Sequence, residues 1–434
     1  MVGLNTVSDG DKPYQLHLVV IGAGLAGLSA AIATSFEGHR VTVLEKAPQL
    51  QEVGAGLQVT PNATRLLKRW GLYDELRRRA AAPSSLTVRR YDGSVVLAQE
   101  HSFQEKMQER YDAPFWDLHR ADLQAALVGR AIELGVEIRL DSEVVDIDFS
   151  AATVTLKGGE SVRGEVLLAA DGLWSRSRSL FMQKTILPNP TGDLAWRIIL
   201  NLEDLKDQEL VEWVSKPTVN FWIGPHAHVV GYSVRGGEQF NLVLLSPDDL
   251  GKDLSRAEGN LDEMKKLFAA WDPILMKFLN CVQSVDKWKL MHCPTLDHWR
   301  NDKGTFVMAG DACHPMLPYL AQGANSSLED GAVLGRLLGH VTHSADIPRA
   351  TKLYEDLRKE RGRSIALETF KQREAFHMPD GVEQQQRDAV FAAALISGPT
   401  APFSSRWTCP TFQPWLYGYD AYADADRAFE AMRW

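Results

Sequence analysis

The feature that most narrows what this chain can become is Gly22-x-Gly24-x-x-Gly27, set between an apolar run at 16–21 and a helix of small residues from about 28 to 36. A short apolar run before glycines suits a buried parallel strand. Gly22 permits a tight turn out of that strand. Gly24 lets the backbone approach a pyrophosphate with no Cβ in the way, and Gly27 lets the helix pack closely on the sheet. The helix N-terminus then offers N–H groups and the positive end of its dipole to phosphate. A second strand at 40–45 ends on Glu45, 18 residues after Gly27, where a carboxylate accepts hydrogen bonds from ribose hydroxyls. A glycine-rich turn alone would need no ligand. With strand, helix and acid in place, the reading is a βαβ unit that binds a dinucleotide. The spacing does not tell NAD from FAD.

Composition removes several other classes. The 47 Lys and Arg against 56 Asp and Glu leave a net charge of −9, which gives no reason to expect nucleic acid or an anionic membrane as partner. The four cysteines are widely spaced and form no CxxC pair, so neither a disulfide framework nor a metal site is expected, and a reducing, cytoplasmic setting follows. The polar N-terminus, with Asp9, Asp11 and Lys12, lacks the basic and apolar regions of a signal peptide. No apolar run approaches the roughly 20 residues that span a bilayer.

Along the chain the expected organisation is α/β: a Rossmann-like dinucleotide domain interleaved with a β-sheet substrate domain, plus C-terminal helices. Residues 1–14 read as a flexible N-terminus. The dinucleotide domain runs over 15–190, with short substrate-side strands near 86–118, a helix at 123–134 and a small meander from 143. Strand-like runs dominate 191–290, the substrate domain. At 291–375 the first domain resumes with a buried strand at 305–309 and long helices at 326–341 and about 346–372. The segment 376–434 is a helical cap, and its stretch 397–417, rich in Pro, Trp and Phe, reads as an ordered cap on the surface.

Two further motifs separate the candidates. Gly310-Asp311-Ala312-Cys313-His314-Pro315 leads through Pro318 and Gln322 to Gly323-Ala324-Asn325, and Asp171-Gly172 opens a segment reaching Arg178. This trio, in this order, resembles the single-component aromatic hydroxylases that carry FAD, with salicylate hydroxylase, 3-hydroxybenzoate 6-hydroxylase and fungal phenol-dearomatising relatives nearest. The likeness covers about 15 to 420. It implies non-covalent FAD held by Gly22, Gly24, Gly27, Glu45, Gly310 and Asp311. Asp171 and Gly172 would support FAD and the approach of NAD(P)H, and Arg120 would touch FAD and help admit NAD(P)H. Gly323, Ala324 and Asn325 would open a helix whose N-terminus points at the flavin pyrimidine. Pro315 and Pro318 would shape the face where flavin meets substrate.

The same resemblance implies a monooxygenase that uses NAD(P)H and O₂ to hydroxylate a phenol through a C4a-hydroperoxyflavin. Arg197 and Tyr232 are the residues expected to act on the ring, with His228 and Gln322 as weaker candidates. A cation near a phenol lowers its pKa from about 10, which makes the ring the better nucleophile. Hydroxybenzoate hydroxylases tend to carry a histidine just before the tyrosine, where this chain has Gly231. That argues against a histidine base and against a simple 3-hydroxybenzoate substrate. Oxidative dearomatisation, a non-catalytic binding protein on the same fold, and the oligomeric state, a homodimer included, stay open. His119 and His314 read as packing or loop residues, since no His or Cys lies nearby at metal-ligand spacing.

Overall fold

The computed structural model describes residues 14–50, 55–400, 403 and 405–432. The flexible N-terminus expected at 1–14 falls, but for Tyr14, outside the described residues.

Residues at the start, middle and later part of the chain build one parallel sheet. Its five strands run in the order Phe306–Met308, Val166–Ala169, His17–Ile21, Arg40–Leu44 and Glu137–Arg139. Their near-continuous burial is what helices on both faces of a parallel sheet require. Helix Leu25–Phe36 begins directly after Gly24 and is paired by helix Gln322–Gly339.

The second sheet has eight strands, in the order Arg256–Glu258, Asp286–His292, Asn189–Asn201, Gln239–Pro247, Ala227–Val234, Val219–Gly224, Ser85–Arg90 and Val96–His101. Helices Gln208–Ser215, Leu261–Leu267 and Pro273–Cys281 cover one face, burying Trp196, Trp222, Phe240 and Phe278. The opposite face looks toward the parallel-sheet domain. It meets loop 314–320 and the C-terminal segments. The two-stranded ribbon of Gly56–Val59 and Trp116–His119 lies between the two sheets.

Three local expectations change. The stretch 86–118 holds a helix, Phe103–Tyr111, as well as strands, and its Phe103, Met107 and Tyr111 are buried at a spacing of four. The sheet domain carries the three helices just named. The aromatic tail is no surface cap: Phe403, Trp407, Cys409, Leu416 and Tyr417 are buried against Phe115 and Phe221. Its large apolar side chains complete a core that the sheet leaves open on that face.

Candidate active site

The cradle begins at Gly22, whose φ of +104° suits only glycine and whose missing Cβ would lie 2.5 Å from the Ala170 carbonyl oxygen. At Gly27 a Cβ would sit 2.1 Å from the Gly22 oxygen. At Gly24 nothing lies within 4 Å of the Cβ position, so that side of the loop opens outward, where a phosphate could meet the backbone. Glu45, at the end of its strand, accepts from Ala23 N at 2.8 Å and Ala47 N at 2.9 Å. Both bonds pin the carboxylate beside the glycine loop and leave lone pairs on each oxygen. Arg120 opens helix Arg120–Glu133, whose N-cap His119 accepts from Ala121 N.

At the other end, Gly310 N donates to Asp330 at 2.8 Å, and Asp311 is exposed toward the cleft with protein on its remaining sides. That surrounding protein raises its carboxyl pKa, against the pull of His314 and Arg120. Both oxygens of Asp171 are taken within its own loop, by Ser175 and by Ser177 N, while Gly172 turns the chain at φ +76°. Fully buried Arg178 ties the two loops together, donating to the carbonyls of Leu173, Ile186 and Ala312. Gly22, Gly24, Glu45, Arg120, Asp171, Gly323 and Ala324 are half-exposed and Asp311 is exposed, so together they offer a surface that a ligand can reach. Its open glycine loop, helix N-terminus and acid at each end fit an extended dinucleotide.

Beneath the 310–325 segment lies a buried charge network. Arg358 reaches Glu329 at 2.7 Å and Asp330 at 2.7 Å, and Arg361 reaches Glu329 at 2.8 Å. Asn62 also bonds Glu329, and His314 Nε2 lies 2.5 Å from Asp330. Burial pushes both carboxyls up, but the guanidinium charges around Glu329, and His314 with Arg358 around Asp330, hold them below their usual range. Above it, Ala321 is held at φ 52°, costly for a residue with a Cβ. The Asn325 side chain clamps Gln58 O, Thr60 N and Ala321 O. Asn325 thus fixes the helix end by its side chain, leaving the backbone of Gly323 and Ala324 to face the cleft.

The substrate side follows from register. Arg197, Val243, Val230 and Phe221 are direct cross-strand partners in one row of the sheet. In this sheet interior Arg197, Val243 and Val230 are only half-buried, so the row is the floor of an open cleft. Tyr232 and His228 flank Val230 on the same strand face. Arg197 lies 4.8 Å from the Trp288 ring; burial and the neighbouring Arg120 lower its pKa, yet a guanidinium stays cationic. Tyr232 packs against Gly56, beside Asn241, and burial followed by the charge of Asp117 raises its pKa. It therefore remains a phenol and a hydrogen-bond donor. Pro315, Met316 and Leu317 close the opposite wall, with Met316 half-exposed and packed in the same cluster as Val230 and Tyr232. Pro318 is exposed, and Gln322 is buried against Thr60 and Asn62.

The argument from Gly231 fails here. Its Cβ would point at Phe240 and Leu242, the helix-covered face, so no side chain at 231 could reach the cleft. The histidine on the cleft face is His228. Three further residues were missed in sequence. Asp117 is 0% exposed, with Oδ1 bonded to Gln58 and Oδ2 without a partner. Asn241 accepts from Gly56 N and leaves its Nδ2 unpaired. His377 pairs with His228. Among the described residues, no group of His, Cys, Asp and Glu could hold a metal ion, and no helix is long and apolar enough to cross a membrane.

The chain has relatives among known proteins. The FAD binding domain family matches residues 15–369. An FAD-dependent monooxygenase, OpS4, of Beauveria bassiana is 59% identical over 95% of this chain and 97% of its own length. The chain belongs to this family of FAD-dependent monooxygenases. Within the family, the 3-hydroxybenzoate 6-hydroxylase of Polaromonas naphthalenivorans is 30% identical over 88% of this chain and 93% of its own. Two solved structures share the monooxygenase fold: a salicylate hydroxylase substrate complex (TM-score 0.78, 24% identity, 95% of this chain and 98% of that one) and CtdE in complex with FAD and substrate (TM-score 0.81, 21% identity, 96% and 98%). FAD is the cofactor of this family and of this chain.

Proposed function

We propose that this monooxygenase uses NAD(P)H and O₂ to hydroxylate a phenolic ring lying on the Val230–Val243–Arg197 floor. The observation that carries this is the half-exposed cation in an otherwise apolar row, flanked by a protonated tyrosine hydroxyl and an imidazole. Hydroxybenzoates are the compounds named for several relatives, which supports the same ring class here.

FAD, held by the backbone of Gly22, Gly24, Gly323 and Ala324 and by Glu45, Arg120 and Asp311, supplies the electrophilic oxygen when NAD(P)H and O₂ are present. The protein's own part is preparation of the ring. Arg197 stabilises the phenolate over the phenol. Tyr232 donates a hydrogen bond that orients the ring, and His228 accepts the phenolic proton. Val230, Val243 and Met316 exclude water from the reacting centre. The free cysteines fit a reducing, cytoplasmic setting.

The test is a panel of phenols and hydroxybenzoates given to purified, yellow holoenzyme. At least one should stimulate NAD(P)H oxidation and return a product heavier by one oxygen atom. A panel in which no phenol does so, while a non-phenolic compound is oxygenated, would overturn the reading.

A further inference from the structure

Behind the cleft floor lies a polar group of which the ring-binding scheme uses only His228. His228 Nδ1 is 2.7 Å from His377 Nε2, so the two imidazoles share a hydrogen bond. His377 caps helix Ile347–Phe376. Its other nitrogen is buried without a hydrogen-bond partner, 3.9 Å from an Asp193 oxygen. Asp193 is itself held by Arg373 and by the Tyr319 hydroxyl. Outside this group is a cavity of about 460 Å³ lined by Asp193, His226, Arg373, Glu374, His377 and Glu383. His226 and Glu383 are exposed, so it opens to solvent. On the inner side His228, ringed by Tyr319 and Phe376, shares its strand face with Val230.

We propose that His228 and His377 form a wire that carries the phenolic proton from the cleft to this outer cavity, with His377 as the relay. The proposal rests on the reading of the chain as a phenol hydroxylase. The substrate O–H bond breaks as its proton joins His228 Nε2. The proton on His228 Nδ1 passes to His377 Nε2, and the proton on His377 Nδ1 passes by way of Asp193, 3.9 Å away on the cavity wall, to water in the outer cavity. No electrons move, and both rings end neutral with their tautomers exchanged. The same path in reverse returns a proton to the product phenolate and restores them. A neutral imidazole is at once donor and acceptor, and this environment keeps both rings neutral. Burial drives His228 well below its ordinary value and takes His377 to about 4, against the pull of Asp193 and with Arg373 and His226 adding to the fall. Asp193 from the strand, Tyr319 from the loop, Arg373 and Glu374 from the long helix, His226 from the turn and Glu383 from the following helix are the groups that set this balance.

The probe is 4-nitrophenol, whose phenolate is yellow, mixed with holoenzyme in weak buffer containing a pH indicator. Wild type should ionise the bound phenol and release its proton. His377→Gln should keep the flavin spectrum and the affinity for 4-nitrophenol yet release the proton at least about ten-fold more slowly, a barrier of about 1.4 kcal/mol. His377→Ala should be slowed likewise and recover with added imidazole, which the outer cavity can admit. In wild type, mixtures of light and heavy water should give a curved dependence, since more than one proton moves. Unchanged release in His377→Gln, slowed release in His377→Ala that imidazole does not restore, or a linear isotope dependence overturns the wire alone. A wild-type enzyme that ionises no bound phenol overturns the phenol reading and the wire with it.

Discussion

The two halves of this enzyme bury charge by opposite rules. Under the flavin segment, Glu329, Asp330, Arg358 and Arg361 neutralise one another, and Asn62, His314 and Gly310 N take further hydrogen bonds. The charges of that network balance within the fold, although His314 Nδ1 has no hydrogen-bond partner. Across the cleft, Arg197 stands near Arg120 and Arg256, which depress its pKa, while Asp117 keeps one oxygen unpartnered. Charges matched inside the protein fix position. Arg256 pairs with Asp286 at 2.8 Å, so in the proposed scheme the charge left for an anionic ring to balance is that of Arg197.

Breaking the closed network should cost most. Arg358→Met leaves two buried carboxylates short of a partner, a loss of roughly 3–5 kcal/mol, read as a large drop in the unfolding midpoint of the holoenzyme. A variant as stable as wild type would mean the network is not what holds the segment. The network also has a pH signature. Because Glu329 and Asp330 are held below their usual range, their contribution is present above an unfolded carboxyl pKa of about 4 and is lost as pH falls through the lower folded value. Acid unfolding curves of wild type and Arg358→Met should therefore converge at low pH.

Next in size is Gly24→Asp. It places a carboxylate in the open space of the glycine loop and should weaken FAD at least about 100-fold, roughly 2.7 kcal/mol, measured by flavin retention on dialysis. Full occupancy would refute the placement of the pyrophosphate. On the cleft side, Arg197→Ala should keep its flavin spectrum and lose about 10- to 150-fold in kcat/KM, the worth of a charge-assisted hydrogen bond at roughly 1.5–3 kcal/mol. It should release more peroxide per NAD(P)H oxidised and recover partly at higher pH, where the phenol ionises unaided. Normal coupling in this variant would remove Arg197 from the reaction. The smallest effect, read near pH 4, is expected from Asp117→Asn. Burial raises the Asp117 pKa far above its ordinary value, so its stabilisation is full below about pH 4 and lost as pH rises. The variant should match wild type within about 1 kcal/mol near pH 4 and gain on it steadily toward pH 8. A gap that stays constant with pH would show that Asp117 ionises freely.

The closed half was more legible in sequence than the open one. Gly22 and Gly27 are readable because the turn's positive φ at the first and the nearby Gly22 oxygen at the second demand glycine there. The Asp311 segment is readable because its neighbours are fixed by the same loop. Arg358 and Arg361 sit in an ordinary helical stretch, and nothing local says that they meet Glu329 some thirty residues earlier. His228 and His377 are 149 residues apart, and only the packing of the long helix on the sheet joins them. One error was avoidable. Alternation along a strand already places residue 231 on the face opposite 230 and 232, so the histidine two positions before Val230 was the one to weigh. The buried tail at 403–417 lacked any periodic signal, and its aromatic content spoke for burial more than for surface.

The packing of helix Ala421–Met432 bears on how the enzyme is made. Tyr422 and Ala425 belong to the same core as the first strand and its helix. The Trp70 indole donates to the Tyr422 hydroxyl at 3.0 Å, and Arg336 pairs with Asp426 at 2.6 Å. The glycine loop is made roughly 400 residues before this helix, and its domain cannot close until the helix has followed. Nascent chains must therefore wait with an open apolar sheet, the state in which chaperones are needed. A change that displaces this helix would therefore reach the glycine loop through the shared core.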